Sequence, residues 1–165
     1  MASTLTVDNI VGATSSSSIH IPGHVIQVVQ ALSNTEFINT TTTFADSGLL
    51  GVITPTSASS KILVNISAGF FIEASTVSSI EMHSRITRNG TAVKDFNRVI
   101  NIRATQAGGI LGNGNQGSLV YLDSPSTTSA VTYKLQICSG TTGEGARINK
   151  DNIASSAITL MEIAQ

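Results

Sequence analysis

Gly112, Gly114 and Gly117 stand at the GxGxxG spacing of a dinucleotide-binding loop. Such a loop works by setting a pyrophosphate on the N-terminus of the helix that follows. Here the continuation Ser118-Leu119-Val120-Tyr121-Leu122 reads as a strand, so the spacing predicts a flexible loop between strands and no cofactor. A second glycine-bearing stretch, Gly140 to Gly145, lacks the Gly-Lys-Ser/Thr of a phosphate-binding loop and reads as a mobile surface loop. His20 and His24 have the spacing of two metal ligands on one helix face, but Pro22-Gly23 between them forbids that helix. His83 shares the parity of Glu81 and Arg85 and reads as part of a solvated strand face. The single cysteine, Cys138, ends a strand-like run and reads as a small, partly buried hydrophobe. Asp95, Asp123 and Glu81 are the carboxylates that could pair for glycoside hydrolysis. A sugar-cleaving cleft usually stacks rings, however, and this chain has 4% aromatic residues and no Trp. There is no GxSxG elbow for a serine nucleophile. The reading is of a non-enzyme with no catalytic residues, no metal and no cofactor.

The one concentration of charge is Arg85, Arg88, Lys94, Arg98 and Arg103, five of the nine basic residues. It falls on a hairpin from 80 to 103 that turns at Asn89-Gly90, the strongest short hairpin signal in the chain. A two-residue turn pairs Arg88 with Thr91, and a regular ladder would then set Ile86 against Val93 and Ile80 against Val99 on the core side. The opposite side would pair Arg85 with Lys94 and Glu81 with Arg98. Arg85, Lys94 and Arg98 are therefore the candidate docking face for an acidic partner or an anionic glycan, and a solvated hairpin is the plain alternative.

The elements that would hold these residues are strands almost throughout. Lys61 to Glu73 places Ile62, Val64, Ile66, Ala68, Phe70 and Ile72 on one face, and Val131, Tyr133, Leu135 and Ile137 alternate as cleanly. Further strands are expected at 24–32, 36–44, 49–54, 80–88, 91–102, 118–122 and 157–163, about nine in all. Short strands punctuated by turns predict an all-β protein: an antiparallel β-sandwich of jelly-roll form, with an up-and-down barrel as the competing arrangement. The last run is apolar on both sides, with Ile158 and Leu160 on one face and Met161 and Ile163 on the other. These four are the candidate trimer interface, the alternative being a two-sided central strand within one chain.

The rest of the composition works by exclusion. The chain has 165 residues, of which 41% are hydrophobic and only 12% charged, and Ser and Thr make up about a quarter. That is long enough for one domain with a hydrophobic core, and the hydrophobicity argues against disorder. A net charge of −1 provides no field to draw in nucleic acid or an anionic membrane. No apolar run approaches the roughly 20 residues needed to span a bilayer, and no segment resembles a signal peptide. The expectation is a product made in the cytoplasm, with neither nucleic acid nor membrane as partner.

Residues 1–23 differ from the remainder: Leu5, Val7, Ile10 and Val11 precede four serines, Ser15 to Ser18, and Pro22-Gly23. They read as an extended N-terminal arm that contacts a particle or partner through those four apolar side chains, ahead of a sandwich domain over 24–165. Three segments carry a family resemblance. Thr4-Leu5-Thr6-Val7-Asp8-Asn9-Ile10-Val11-Gly12-Ala13-Thr14, Ile21-Pro22-Gly23-His24-Val25-Ile26-Gln27, and Tyr121-Leu122-Asp123-Ser124-Pro125 with Thr132-Tyr133-Lys134 resemble small virion structural proteins of tailed bacteriophages, especially those of cyanobacteria. The resemblance implies a homotrimeric β-sandwich on the virion surface whose partners are other virion proteins, either the major capsid protein or tail components. Within that class, a capsid decoration or cement protein is the first expectation. A short tail-fibre or adhesin knob that binds host surface glycan is the second, and an envelope-degrading enzyme is a distant third.

Overall fold

A computed structural model describes residues 21–74, 79–103 and 111–165. Its strands are β1 (Val25–Ser33), β2 (Phe37–Asn39), β3 (Ala45–Ile53), β4 (Lys61–Ala74), β5 (Ser79–Arg88), β6 (Thr91–Arg103), β7 (Leu111–Asp123), β8 (Val131–Ser139), β9 (Gly145–Ile148) and β10 (Ser156–Ile163). The arm expected to act through Leu5, Val7, Ile10 and Val11, and His20 of the histidine pair, lie outside the described residues.

The ten strands form two antiparallel sheets. β4, the longest, pairs along one whole edge with β7. Along its other edge it pairs first with β10, over Lys61–Ser67, and then with β9, over Phe70–Glu73. β1 lies outside β10, and β2 lies outside β9. β1 with β2, and β9 with β10, are thus single strands with one interruption each, and the first sheet has effectively four members. The second sheet runs β3-β8-β5-β6. The chain crosses between sheets at nearly every connection, and of the consecutive strands only β5 and β6 pair as a hairpin. Two four-membered sheets in this order form a jelly roll, which excludes the up-and-down barrel.

Alternation explains the core. The six inward residues of β4 from Ile62 to Ile72 are buried, as are Val131, Tyr133, Leu135 and Ile137 of β8. Ile158 and Leu160 of β10, Ile80, Met82 and Ile86 of β5, and Leu49 and Ile53 of β3 complete the same cluster. Each fully buried aliphatic side chain of this kind contributes about 1.5–3 kcal/mol. Cys138 is buried as well.

Several sequence expectations need correction. Alternation alone predicts a strand at 118–122, but β7 begins at Leu111 and runs straight through Gly112, Gly114 and Gly117. Those glycines belong to a ladder with β4, and the rings of Phe70 and Phe71 lie across them. A Cβ at Gly114 would stand 2.7 Å from the Phe71 ring, and one at Gly117 2.9 Å from the Phe70 ring. The stretch 140–145 is not a free loop. Gly140 N–H donates to the Glu81 carbonyl and Gly143 N–H to that of Thr40, and Gly145 opens β9, which the sequence does not signal. The strand expected at 36–44 is only Phe37–Asn39. There the buried Asn39 side chain accepts hydrogen bonds from the Thr41 backbone N–H and hydroxyl, which turns the chain.

Asn149 holds both interrupted strands in place. Its side-chain amide donates to the carbonyls of Ser33 (2.9 Å) and Thr35 (3.2 Å), across the gap between β1 and β2. Its side-chain oxygen accepts from the Ser156 hydroxyl at 2.6 Å, across the gap between β9 and β10. Its backbone N–H reaches the Gly69 carbonyl of β4 at 2.9 Å. Its φ of 52° lies in the left-handed region, where Asn is among the best-tolerated non-glycine residues. Replacing Asn149 with Ala should leave the Ser33 and Thr35 carbonyls and the buried Ser156 hydroxyl without their partner and lower the free energy of unfolding by roughly 3 kcal/mol, read from the urea midpoint; a loss below about 1 kcal/mol would contradict this role.

Candidate functional site

Each sheet turns one face to solvent, and the two faces differ in chemistry. The outer face of the β3-β8-β5-β6 sheet is charged and internally connected. Asp46 on β3 pairs with Lys134 Nζ at 2.6 Å and accepts a hydrogen bond from Gln136. The Lys134 and Gln136 hydrogen bonds hold its carboxyl below the usual value. Gln136 in turn accepts from Arg85 Nε at 2.6 Å, and the Arg85 guanidinium sits 4.3 Å above the Phe44 ring. Further along, Glu81 accepts from Arg98 Nε and Asn101 Nδ2, both at 3.0 Å, and lies 3.6 Å from His83 Nε2.

The expected docking face of Arg85, Lys94 and Arg98 does not assemble. The turn is as predicted, with Arg88 opposite Thr91, and positive φ at Asn89 and Gly90 fits a primed two-residue turn. Register shifts then follow between Ile86 and Thr87 and between Met82 and Ser84. They set Arg85 opposite Asp95, Ile86 opposite Lys94, Glu81 opposite Asn101 and Ile80 opposite Ile102. Lys94 therefore shares the face of Ile86, with its amine 5.6 Å from the Phe96 ring centre, while Arg85 points the other way. Arg98 reaches Glu81 from within the second bulge, with a left-handed φ of 59°. Bulges of this kind add residues to one strand and re-aim its side chains, which strict alternation cannot anticipate.

The outer face of the other sheet is neutral where β1, β10, β4 and β7 run side by side. Register places Val28, Met161, Leu63 and Leu122 abreast in one row across all four strands. The edge members Val28 and Leu122 are 56% and 47% exposed, and the central pair is half-buried. The next two rows are Gln30, Thr159, Asn65 and Val120, then Leu32, Ala157, Ser67 and Ser118. Met161 and Ile163 lie on this outer face, whereas Ile158 and Leu160 are fully buried in the chain's own core. Only the Met161 and Ile163 half of the candidate trimer interface can therefore meet another molecule.

Charge returns at the far end of this face. Arg147 pairs with both Glu36 and Glu73, and Lys150 lies 3.8 Å from Glu73 and 4.3 Å from the Phe71 ring centre. Beside them an open depression of about 480 Å³ is lined by Phe71, Gly114, Asn115, Gln116, Lys150, Asp151 and Ile153, among others. Ile153 is 85% exposed at the end of a short turn in which Asp151 and Asn152 both take left-handed φ.

The carboxylates singled out from the sequence stand apart. Asp123 is buried, accepting the Tyr133 hydroxyl at 2.7 Å and pairing with Arg88 at 2.8 Å, while Glu81 lies at the opposite end of β5. Burial, and then Asp123, push the Tyr133 phenol well above its ordinary value. Burial likewise pushes the Cys138 thiol up, away from a reactive thiolate. His24 Nδ1 is hydrogen-bonded to the Ile21 carbonyl. Among the described residues no three His, Cys, Asp or Glu side chains are grouped to hold a metal ion.

One buried carboxylate escapes sequence reasoning. Glu162 occupies the inward position after Ile158 and Leu160, where a charge in an apolar alternation was the available signal. Gln27 Nε2 donates to it at 2.6 Å, and the Thr56 backbone N–H and hydroxyl donate at 2.8 Å each, tying the β3–β4 connection to β10.

The module so defined is a jelly roll with one charged outer face and one whose central rows are neutral. No family model matches the chain, and no curated protein matches it. Among solved structures, a chain of infectious bursal disease virus Gx strain is similar over 84% of this chain and 32% of its own, with 14% identity and a TM-score of 0.42. A chain of the infectious bursal disease virus VP2 subviral particle is similar over 84% and 38%, with 12% identity and a TM-score of 0.40. Dimeric latent PorU of Porphyromonas gingivalis is similar over 93% and 14%, with 11% identity and a TM-score of 0.34. The chain spans about a third of the length of the two viral chains. Likeness at this level carries no functional inference.

Burial raises the Glu162 carboxyl, but the hydrogen bonds from Gln27 and Thr56 outweigh it and hold the group below its ordinary value of 4.5. A carboxyl depressed in the folded state contributes stability above its unfolded value, and that contribution is lost as pH falls through the folded value. Thermal unfolding midpoints should therefore drop more steeply below about pH 4.5 in the wild type than in Glu162→Gln, and parallel profiles would show that Glu162 is not the linked group.

Proposed function

We propose that the chain is a non-enzymatic structural protein of a virion, a surface-exposed homotrimeric jelly roll that decorates the capsid and cements neighbouring subunits. The observation that carries this reading is the neutral row of Val28, Met161, Leu63 and Leu122 across the outside of one sheet. A closed jelly roll has no need of such a row for its own core, and exposed apolar surface of this kind marks interaction sites. The sequence segments that resemble bacteriophage virion proteins support the same reading. In this reading the partners are other virion proteins, with the major capsid protein first, and residues 1–23 supply the tie through Leu5, Val7, Ile10 and Val11. No cofactor takes part.

A second reading, a tail-fibre or adhesin knob, is favoured by the depression beside Phe71. An aromatic ring next to the amides of Asn115 and Gln116 and the carboxylate of Asp151 offers the mix of apolar surface, donors and acceptors that a host surface glycan would use.

The two roles separate in binding assays. Full-length chain carrying Leu5→Ser, Val7→Ser and Ile10→Ser together should fold normally yet co-sediment at least about tenfold more weakly with virions lacking the protein; undiminished binding would remove the arm from the decoration reading. For the knob, soluble protein should block virion adsorption to host cells, and Phe71→Ala should abolish the block. Absence of competition at saturating protein leaves decoration as the role.

A further inference from the structure

We infer that the neutral outer face of the β1-β10-β4-β7 sheet is covered by two further copies of this same chain, three such faces closing around a threefold axis. The inference rests on the trimeric reading above and names the surface that reading requires.

Three observations support a second copy as the occupant. The first is charge. The three rows from Val28–Leu122 to Leu32–Ser118 contain no ionisable residue, and the nearest cation, Lys61 beside Ile163, stands one row out at the start of β4, so the central rows of identical faces meet without the like-charge repulsion that self-association of a charged face would incur. The outer face of the other sheet, with Asp46, Lys134, Arg85, Glu81 and Arg98, has no such neutrality residue by residue.

The second is hydrogen bonding. Polar groups on the neutral face bond to one another: Gln30 Nε2 donates to Thr159 Oγ1 at 3.0 Å, Gln116 Nε2 to Ser67 Oγ at 3.1 Å, and Ser118 Oγ to Asn65 Oδ1 at 3.2 Å. Burying a polar group is costly chiefly when its partner is lost, and these partners come along.

The third is geometry. Four strands about 4.8 Å apart make a face roughly 19 Å wide, and three such faces closed into a prism stand about 5.5 Å from its axis. That is close to half of the roughly 10 Å at which facing sheets interlock. One layer of side chains from each copy therefore fills the centre, and the row Val28, Met161, Leu63 and Leu122 becomes a closed apolar ring. The central Met161 and Leu63 then point at the axis, and the more exposed Val28 and Leu122 of adjacent copies meet at the seams.

Native mass spectrometry and sedimentation of the full chain test this without any virion, so failure of the interface and failure of the virion role are told apart. The wild type should run at about three times its 17.1 kDa mass. Met161→Glu should raise the concentration for half-assembly at least about a hundredfold, since three carboxylates would converge at the axis. Val28→Glu, at an exposed edge where the monomer tolerates charge, should weaken assembly in the same direction should Met161→Glu fail to fold. Lys134→Glu on the charged face should leave assembly unchanged. A monomeric or dimeric wild type, or a trimer that withstands both glutamate substitutions in folded protein, would overturn the inference.

Discussion

The jelly roll has two of the four strands of its β1-β10-β4-β7 sheet broken at the same level, and a single buried amide holds the breaks together. Asn149 supplies what the missing ladder bonds would have supplied: partners for the carbonyls of Ser33 and Thr35, for the Ser156 hydroxyl and for the Gly69 carbonyl. An interrupted strand leaves backbone groups that must be paired when buried. Asn is suited to the position because its side chain is both donor and acceptor, and because it tolerates the left-handed backbone that the jog demands. Gly69 fits the same constraint from the β4 side, since a Cβ there would stand 2.6 Å from that of Ala154. With the jog fixed, β10 resumes its place beside β4, and its outward Met161 falls into line with Leu63 and Val28.

How much of this was legible in the sequence depended on how strictly each strand alternates. β4 and β8 are legible almost to the residue, because inward Ile, Val, Leu and Tyr alternate without a break and a sheet buried on one face enforces that period. β7 is legible only at its end. Its glycines read as a loop, although the physical reason for them is the pair of aromatic rings that lie across its backbone. β9 is four residues long and sits between glycines and the jog, too short for any period to show.

The site was harder to read than the fold for a related reason. Outward positions acquire meaning only through register, and register depends on bulges. The two-sided pattern of β10 does signal that Met161 and Ile163 face outward. It could not show that Val28 and Leu122, far apart in sequence, complete the same row, nor that Ile158 and Leu160 belong wholly to the core. On the hairpin the turn at Asn89-Gly90 is plain from two residues, yet two later register shifts move Lys94 to the other face from Arg85. Asn149 carries no local pattern, and Glu162 only that of a charge at an inward position, because what each does is defined by partners distant in the chain.

The low charge of the chain gains a structural meaning from where its charges sit. Asp46 with Lys134, Glu81 with Arg98, Asp123 with Arg88, and Arg147 with Glu36 and Glu73 pair within the chain. The three central rows of the other sheet's outer face are apolar or carry amides and hydroxyls bonded to one another. Contacts made by exposed charges weaken as salt rises and the screening length shortens, whereas contacts between neutral surfaces do not. A face built from Val, Leu, Met and self-paired amides and hydroxyls should therefore hold a neighbour equally well in dilute and in saline water. That property follows from the neutral face alone.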